Sequence, residues 1–269
     1  MSEYSIKLEQ VSCKIGYKYL LKDINWNVRP GEHWVVFGMN GSGKTTLLSI
    51  VAGFKHATFG TVEVLGETFN NETVLKLRKK IGWVSASFFD KYYSKESVMD
   101  IVLSGKYGTL GVQNDVMAAD RKRAKQLLDE LGLDRRGEYS FDMLSKGERQ
   151  NVLIARAIFA NPEILILDEP CTGLDVYNRA YLFRTLETLA NNKNLTIIYV
   201  THYVEEIHPM FDQCVFLKQG HIFKKGKTTD VFTSDILTAF LDYPVECSIE
   251  HQKIQLDIKN VDSGIVRLL

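Results

Sequence analysis

The stretch Gly38-Met39-Asn40-Gly41-Ser42-Gly43-Lys44-Thr45 matches the pattern GxxxxGK[ST] at every fixed position. Glycines in this pattern let the backbone curl so that successive N–H groups and a following helix N-terminus can hold anionic phosphates. The lysine then reaches the outer phosphates, and the next hydroxyl ligates Mg²⁺. The stretch therefore predicts a bound nucleoside triphosphate. The predicted phosphate-binding residues are Gly38, Asn40, Gly41, Ser42, Gly43, Lys44, Thr45 and Thr46.

The residues around this loop have the strand and helix patterns that it requires. Residues 33–37 form a short apolar run suited to a buried strand, and residues 46–52 can form a helix. Farther along the chain, predicted strands and helices alternate, which indicates a mainly parallel sheet with crossover helices. The fold class is therefore α/β, of the P-loop NTPase type. The predicted alternating elements are strand 81–84, helix 146–160, strand 164–167, helix 176–190, strand 196–201 and strand 214–217.

Two regions interrupt this alternation. Residues 6–11, 24–28 and 61–66 alternate apolar and polar side chains, which predicts an antiparallel β edge. Helical periodicity at 97–103 and 118–131 predicts a helical subdomain, spanning about residues 87–160, inserted in the sheet domain.

The chain is expected to divide near residue 230. The main domain is predicted over residues 1–230, and residues 231–269 are read as a short extension. In that extension, residues 236–241 have a helical pattern, and alternation at Ile254, Leu256 and Ile258 predicts one short strand.

Composition excludes several classes of function. Lys and Arg together number 33, as do Asp and Glu, so whole-chain charge does not favour nucleic-acid binding. The basic run 121–125 is read as a solvated helix face. The four cysteines show no metal-ligand spacing, and no apolar run approaches the roughly 18 to 20 residues of a membrane span. A cytoplasmic protein that binds no nucleic acid is expected.

The segment Ile164-Leu165-Ile166-Leu167-Asp168-Glu169-Pro170 ends an apolar strand in two carboxylates. A buried parallel strand places its C-terminal residues at the ligand crevice of the sheet. There Asp168 can hold Mg²⁺, and Glu169 can polarise a water against the γ-phosphate. In the alternative interpretation, Asp168 and Glu169 simply begin a loop. The phosphate-binding loop earlier in the chain disfavours that interpretation.

The segment Leu144-Ser145-Lys146-Gly147-Glu148-Arg149-Gln150 comes directly before a predicted helix. Ser145 is a good N-cap, and Glu148 lies three residues later, as in a capping box. A hydroxyl and a glycine at a helix N-terminus can also bind an anion. The residues alone leave both interpretations open.

These motifs stand in one order along the chain, followed by Thr172-Gly173-Leu174-Asp175 and then Val200-Thr201-His202. In this order and spacing the chain resembles the ATP-binding subunit of an ABC transporter over roughly residues 4–230. Each motif has modest specificity alone, whereas the full series leaves little room for another family.

The resemblance implies a head-to-tail dimer of two copies that sandwich two ATP molecules. It implies that Ser145 and Gly147 of one copy cap the ATP held by the other. Glu169 would be the general base, His202 would contact the γ-phosphate, and Asp175 would communicate across the interface. An integral membrane permease would be the second partner, which would place the subunit peripherally on the cytoplasmic face of the membrane.

Several positions depart from the family pattern, and two of them concern the attacking water and the adenine. The family usually carries a glutamine after the strand at 81–84, where the aligned residue is Ala86. Ser85 or Ser87 can hold a water or the metal instead. The family's adenine-stacking aromatic aligns with Ile15, and Tyr17 and Tyr19 lie nearby. Tyr17 is the residue expected in that role, because stacking tolerates displacement.

Two other functions fit parts of the sequence. A soluble ABC-type ATPase acting on nucleic acid or ribosomes would usually bring paired ATPase domains or long inserts, which the chain lacks. A nucleotide switch that hydrolyses ATP weakly is suggested by Ala86, although the presence of Glu169 and His202 argues against it.

Overall fold

The computed structural model describes residues 2–93, 95–112 and 116–258 of the 269-residue chain. Its strands are β1 Ile6–Ile15, β2 Lys18–Val28, β3 His33–Phe37, β4 Phe59–Val64, β5 Glu67–Thr68, β6 Ile81–Ser85, β7 Ile164–Asp168, β8 Thr196–Thr201, β9 Gln213–Lys218, β10 His221–Lys227, β11 Val245–Glu250 and β12 Lys253–Ile258. Its helices are α1 Lys44–Val51, α2 Val74–Arg78, α3 Ala86–Tyr93, α4 Val98–Tyr107, α5 Ala118–Glu130, α6 Lys146–Phe159, α7 Val176–Ala190, α8 Thr228–Val231 and α9 Ser234–Leu241, with 3-10 turns at Phe141–Met143 and Val204–Glu206.

The central sheet has six strands in the order β10-β9-β3-β8-β7-β6. All neighbours in it run parallel except β10, which returns antiparallel to β9. Every residue of β7 and β8 is buried, which is why these strands read as continuous apolar runs in the sequence. The predicted mainly parallel sheet is confirmed. Its parallel strands all present their carboxyl ends at one edge.

The predicted antiparallel strands form a sheet of their own, in the order β2-β1-β4-β5. The indole ring of Trp26 on β2 meets that of Trp34 on β3 edge-on, with centroids 5.7 Å apart. This contact fastens the second sheet to the central one near the start of β3. The alternation of apolar and polar residues therefore predicted these strands, but it did not indicate that they form a separate sheet.

Helices α3 to α6 lie between β6 and β7 in the chain. The structure confirms α4 and α5 near their predicted bounds, and the basic side chains at 121–123 and 125 of α5 are exposed, as a solvated face requires. The sequence did not predict α3. Its residues Phe89 and Tyr93 are fully buried, with rings stacked 5.5 Å apart, because α3 packs by aromatic contacts rather than by an aliphatic stripe.

The C-terminal region confirms the predicted strand and adds a partner that was not predicted. The single strand expected around Ile254 is the second strand of a hairpin, because β11 pairs with β12 along its whole length. The alternation of Val245, Cys247 and Ile249 carried the signal for β11. Residues 259–269 of the predicted extension lie outside the described residues.

Aromatic side chains attach this region to the central sheet. The rings of Phe232 and Phe240 lie 5.5 Å and 5.8 Å from that of Phe37 on β3. Both also contact Phe216 on β9, at 4.9 Å.

Of the helices in the described ranges, none is long and apolar enough to cross a membrane.

Candidate nucleotide-binding site

The glycine loop joins β3 to α1 at the carboxyl edge of the central sheet. Gly41 and Gly43 have φ angles of 78° and 106°, which L side chains rarely adopt. A Cβ added at Gly38 would lie 2.6 Å from the carbonyl oxygen of Leu217, so the backbone here approaches β9 too closely for a side chain. The three glycines are therefore required by the loop conformation itself.

Lys44 opens α1, and its side chain is only 5% exposed. Its Nζ donates to the carbonyl oxygens of Gly38, at 2.8 Å, and Met39, at 3.3 Å. The same Nζ lies 3.4 Å from Oε1 of Glu169. The ammonium group is thus held across the mouth of the loop, where it can meet an anion without a large rearrangement.

Asp168 ends β7 and lies beside the loop. Its Oδ2 accepts hydrogen bonds from Thr45 Oγ1 and Ser85 Oγ, each at 3.0 Å. Its Oδ1 is buried and has no hydrogen-bond partner among the described residues. Burial raises the pKa of Asp168, and the hydrogen bonds from Ser85 and Thr45 oppose that shift.

These oxygen atoms fit a magnesium ion. Mg²⁺ prefers hard oxygen ligands, keeps several waters, and usually takes only one or two carboxylates from a protein. The unpaired Oδ1 of Asp168 and the hydroxyl of Thr45 provide such a set. A cation there would also relieve the cost of leaving a buried carboxylate oxygen unpaired.

Glu169 and His202 meet at the ends of adjacent strands. Nδ1 of His202, which follows β8, lies 3.0 Å from Oε1 of Glu169, which follows β7. Glu169 has a φ of 51°, and its N–H donates to the carbonyl of Val200 at 3.0 Å. A non-glycine residue in this conformation is uncommon, and such strain clusters at functional sites. The arrangement can hold a water and accept its proton.

A buried network that the sequence did not predict supports the His202 loop. The Oε2 atom of Glu206, a residue only 6% exposed, accepts from Thr201 Oγ1 at 2.6 Å and from Tyr199 Oη at 3.1 Å. Cys171 Sγ lies 3.2 Å from the same Tyr199 Oη. Burial raises the pKa of Cys171 to about 11, so its thiol packs in this network as a protonated group at neutral pH. The 3-10 turn at Val204–Glu206 brings Glu206 back to residues five and seven positions earlier, a return that no sequence motif signalled.

The segment around Ser145 caps α6. Ser145 Oγ accepts the N–H of Glu148 at 3.3 Å, and Glu148 Oε2 accepts the N–H of Ser145 at 2.9 Å. The capping box is therefore confirmed. Nε of Arg136 also donates to Glu148 Oε1 at 3.0 Å, and hydrogen bonding to Ser145 lowers the pKa of Glu148.

Ser145, Gly147 and Asp175 lie apart from the glycine loop of their own chain. Asp175 caps α7 by accepting the N–H of Asn178 at 2.8 Å. The preceding residue, Leu174, is the nearest neighbour of Gly147. The Ser145 segment and the Asp175 turn are therefore adjacent, whereas neither contributes to the lining of the cleft beside the glycine loop.

That cleft has a volume of about 750 Å³. Tyr19 lines it, whereas Tyr17 lies fully exposed in the turn between β1 and β2 and does not reach it. The amine of Lys14 lies 4.1 Å from the centre of the Tyr19 ring. The residues lining the cleft are Lys18, Tyr19, Leu20, Asn40, Gly41, Gly43, Lys44, Thr45, Thr46, Ala86, Ser87, Asp168, Glu169, Thr172, Gln219 and Gly220.

A glycine loop between β3 and α1, with carboxylates ending a neighbouring parallel strand, defines the class of P-loop NTPases. Within that class, the chain belongs to the ABC transporter family, whose model matches residues 21–172. It is an ATP-binding and ATP-hydrolysing subunit that powers an ABC transporter.

Three similar proteins illustrate the relationship. The chain is 44% identical to the ABC transporter ATP-binding protein YlmA of Bacillus subtilis, over 89% of this chain and 92% of YlmA. It is 32% identical to the molybdate import ATP-binding protein MolC of Haemophilus influenzae, over 84% of this chain and 83% of MolC. Its structure matches the dimeric, post-hydrolysis cassette MJ0796 bound to ADP and Pi with a TM-score of 0.70. That match has 26% sequence identity and covers 82% of this chain and 98% of the MJ0796 chain.

Proposed function

We propose that two copies of this chain bind two ATP molecules between them, with Mg²⁺, and drive a separate permease. The convergence of Glu169 with Lys44 and His202, within 3.4 Å and 3.0 Å, carries the proposal. The Glu169 carboxylate, which can accept a water proton, the Lys44 ammonium, which can bind phosphate, and the His202 imidazole thus meet beside one cleft. This is the set that phosphoryl transfer to water needs.

Each residue has a role that follows from its contacts. Glu169 accepts the proton of the attacking water, and His202 orients the Glu169 carboxylate and faces the outer phosphate. Lys44 neutralises phosphate charge from its fixed position on the loop. Thr45 and Asp168 hold Mg²⁺, which when bound offsets the negative charge of the phosphates.

The position of Ser145 and Gly147 supports a site shared between copies. Both lie at the α6 N-terminus, outside the cleft of their own chain. A head-to-tail second copy would bring its own α6 N-terminus against this cleft, where backbone N–H groups favour an anion. The dimeric state of the MJ0796 cassette agrees with this arrangement. Asp175, adjacent to the same segment, would then contact the opposite copy.

Mixing two inactive variants tests the shared site. Lys44→Ala disables the glycine loop, and Gly147→Asp places a negative charge opposite the partner's phosphates. A Cβ at Gly147 meets only Leu174 Cδ2, at 3.7 Å, so this variant should fold. We expect each variant alone to be inactive and an equal mixture to recover about a quarter of the wild-type ATPase rate, because random pairing restores one intact site in half of the dimers.

Two controls accompany that measurement. Each variant mixed with wild-type protein reports how freely copies exchange, and thermal unfolding reports whether both variants are folded. If folded, exchanging variants recover no activity, the two halves of the site do not come from different copies.

Tyr19 is proposed as the platform for adenine, in place of Tyr17. Tyr19 lines the cleft, while Tyr17 lies in a solvent-exposed turn two residues away, so the pair provides its own control. We expect Tyr19→Ala to weaken ATP binding about tenfold, because stacking of a base on an aromatic ring contributes about 1 to 3 kcal/mol. Tyr17→Ala should change the affinity less than twofold. Titration with a fluorescent ATP analogue measures both, and equal losses would contradict the assignment.

Family membership supports a permease partner and a place at the membrane. MolC is named as the ATP-binding protein of an import system. We infer that this chain acts on the cytoplasmic face of the membrane, bound to a permease. We further propose an ATPase domain over residues 1–230, with a helical subdomain at about 87–160 inserted in it, and a C-terminal extension from residue 231. Phosphate release with and without the permease tests the coupling.

A further inference from the structure

The place where the family's glutamine is missing holds two serines. Ser85 ends β6 and Ser87 lies in the first turn of α3, with Ala86 between them. Ser85 pairs with Asp168 across the parallel β6 and β7 strands, and it is fully buried. Ser87 is exposed and lines the cleft. The two serines therefore connect the buried carboxylate with the surface of the cleft.

Only one hydrogen-bond direction between Ser85 and Ser87 fits an ionised Asp168. Ser85 Oγ lies 3.0 Å from Asp168 Oδ2 and 3.2 Å from Ser87 Oγ. A serine hydroxyl has one proton to donate, and an ionised carboxylate can only accept. Ser85 therefore donates to Asp168 and accepts the proton of Ser87. The lone pairs that remain on Ser87 Oγ are acceptors at the edge of the cleft.

This arrangement provides two properties that Ala86 lacks. The donation from Ser85 restrains Oδ2 of Asp168, together with Thr45, so that the unpaired Oδ1 is the oxygen left for a cation. The acceptor on Ser87 can take a hydrogen bond from a water in the cleft. Both effects depend on side chains at fixed distances from Asp168, and neither needs an amide at position 86.

We propose that Ser85 and Ser87 act as a pair of positioning residues, Ser85 orienting Asp168 toward Mg²⁺ and Ser87 orienting water in the cleft. The pair substitutes for the absent glutamine. The inference rests on the proposed function, since it assumes Mg²⁺ at Asp168 and hydrolysis dependent on Glu169.

Metal affinity tests Ser85 without relying on turnover. In a Glu169→Gln background that holds ATP, electron paramagnetic resonance measures Mn²⁺ binding directly. We expect Ser85→Ala to weaken Mn²⁺ binding about tenfold or more, as loss of a partner that orients a metal ligand typically does. Ser12→Ala is the matched control, since Ser12 is a buried serine 3.4 Å from the carboxylate of Asp23, in the separate β-sheet. Equal Mn²⁺ affinities in the two variants would overturn the role of Ser85.

Turnover and rescue test Ser87. We expect Ser87→Ala to lower kcat about tenfold with little change in KM for ATP, whereas Ser87→Thr, which keeps the hydroxyl, should retain most of the rate. Restoring the family residue with Ala86→Gln in the Ser87→Ala chain should recover activity. An unchanged kcat in Ser87→Ala would overturn the role of Ser87.

The activity of Glu169→Gln distinguishes a failure of the proposed function from a failure of the serine pair. If Glu169→Gln keeps full activity, the proposed function fails. If hydrolysis depends on Glu169 while both serine variants behave like Ser12→Ala, the proposed function stands and only the serine pair is wrong.

Discussion

Replacement of Glu169 by glutamine is expected to lower the ATP hydrolysis rate by about 10³-fold while ATP remains bound. Glutamine keeps the shape of the side chain and can still contact His202, but it cannot accept a proton at neutral pH. A positioned general base typically contributes about 10² to 10⁴ in rate. Steady-state phosphate release, compared with equilibrium ATP binding, separates the lost chemistry from retained affinity.

Replacement of Glu163, at the other end of β7, by glutamine is the control. Glu163 immediately precedes β7, pairs with Lys80 at 2.6 Å on the surface, and lies away from the cleft. Glu163→Gln should leave the rate within about twofold, since exposed ion pairs contribute little. Hydrolysis at the wild-type rate in Glu169→Gln would refute the assignment of the base.

Replacement of Lys44 by alanine is expected to weaken ATP binding by about 10- to 100-fold. The ammonium group is buried and already held by the Gly38 and Met39 carbonyls, so its attraction to phosphate is poorly screened by solvent. A charged hydrogen bond contributes about 1.5 to 3 kcal/mol, and each 1.4 kcal/mol is tenfold in affinity. Isothermal titration with ATP and Mg²⁺ measures the loss.

An exposed lysine provides the comparison for Lys44. Lys79 follows α2 on the surface, and Lys79→Ala should bind ATP with wild-type affinity. Thermal unfolding of Lys44→Ala checks that the loop still folds when two carbonyls lose their donor. Wild-type affinity in a folded Lys44→Ala protein would show that this lysine does not meet the phosphates.

Short motifs in the sequence were enough to predict which residues meet at the carboxyl edge of the sheet. The glycine loop, the carboxylates after β7 and the histidine after β8 were all found from short motifs next to apolar runs. Parallel strands present their carboxyl ends at one edge, so three motifs far apart in sequence had to converge there. The capping box at Ser145 was equally local, because both of its hydrogen bonds lie within one helical turn.

Sequence reasoning was less successful where a side chain's direction depends on distant packing. The β1–β2 pair contains register shifts before Lys14, and this irregular pairing places Tyr19, rather than Tyr17, opposite Lys14 and in the cleft. Residues two apart share a face in a strand, so what separates the two tyrosines is where the strand begins, with Tyr17 in the turn and Tyr19 on β2. Periodicity could therefore find the strands but not choose between these tyrosines.

The sequence by itself determined the loop, its flanking strand and helix, the parallel sheet and the family, because each depends on local spacing or on strand order. Only the tertiary structure decided which groups surround Asp168 and support His202. Ser85 reaches Asp168 from the neighbouring strand, and Glu206 accepts hydrogen bonds from Thr201 and Tyr199 because the chain turns back after β8. Such contacts depend on register and burial, which a one-dimensional pattern does not contain.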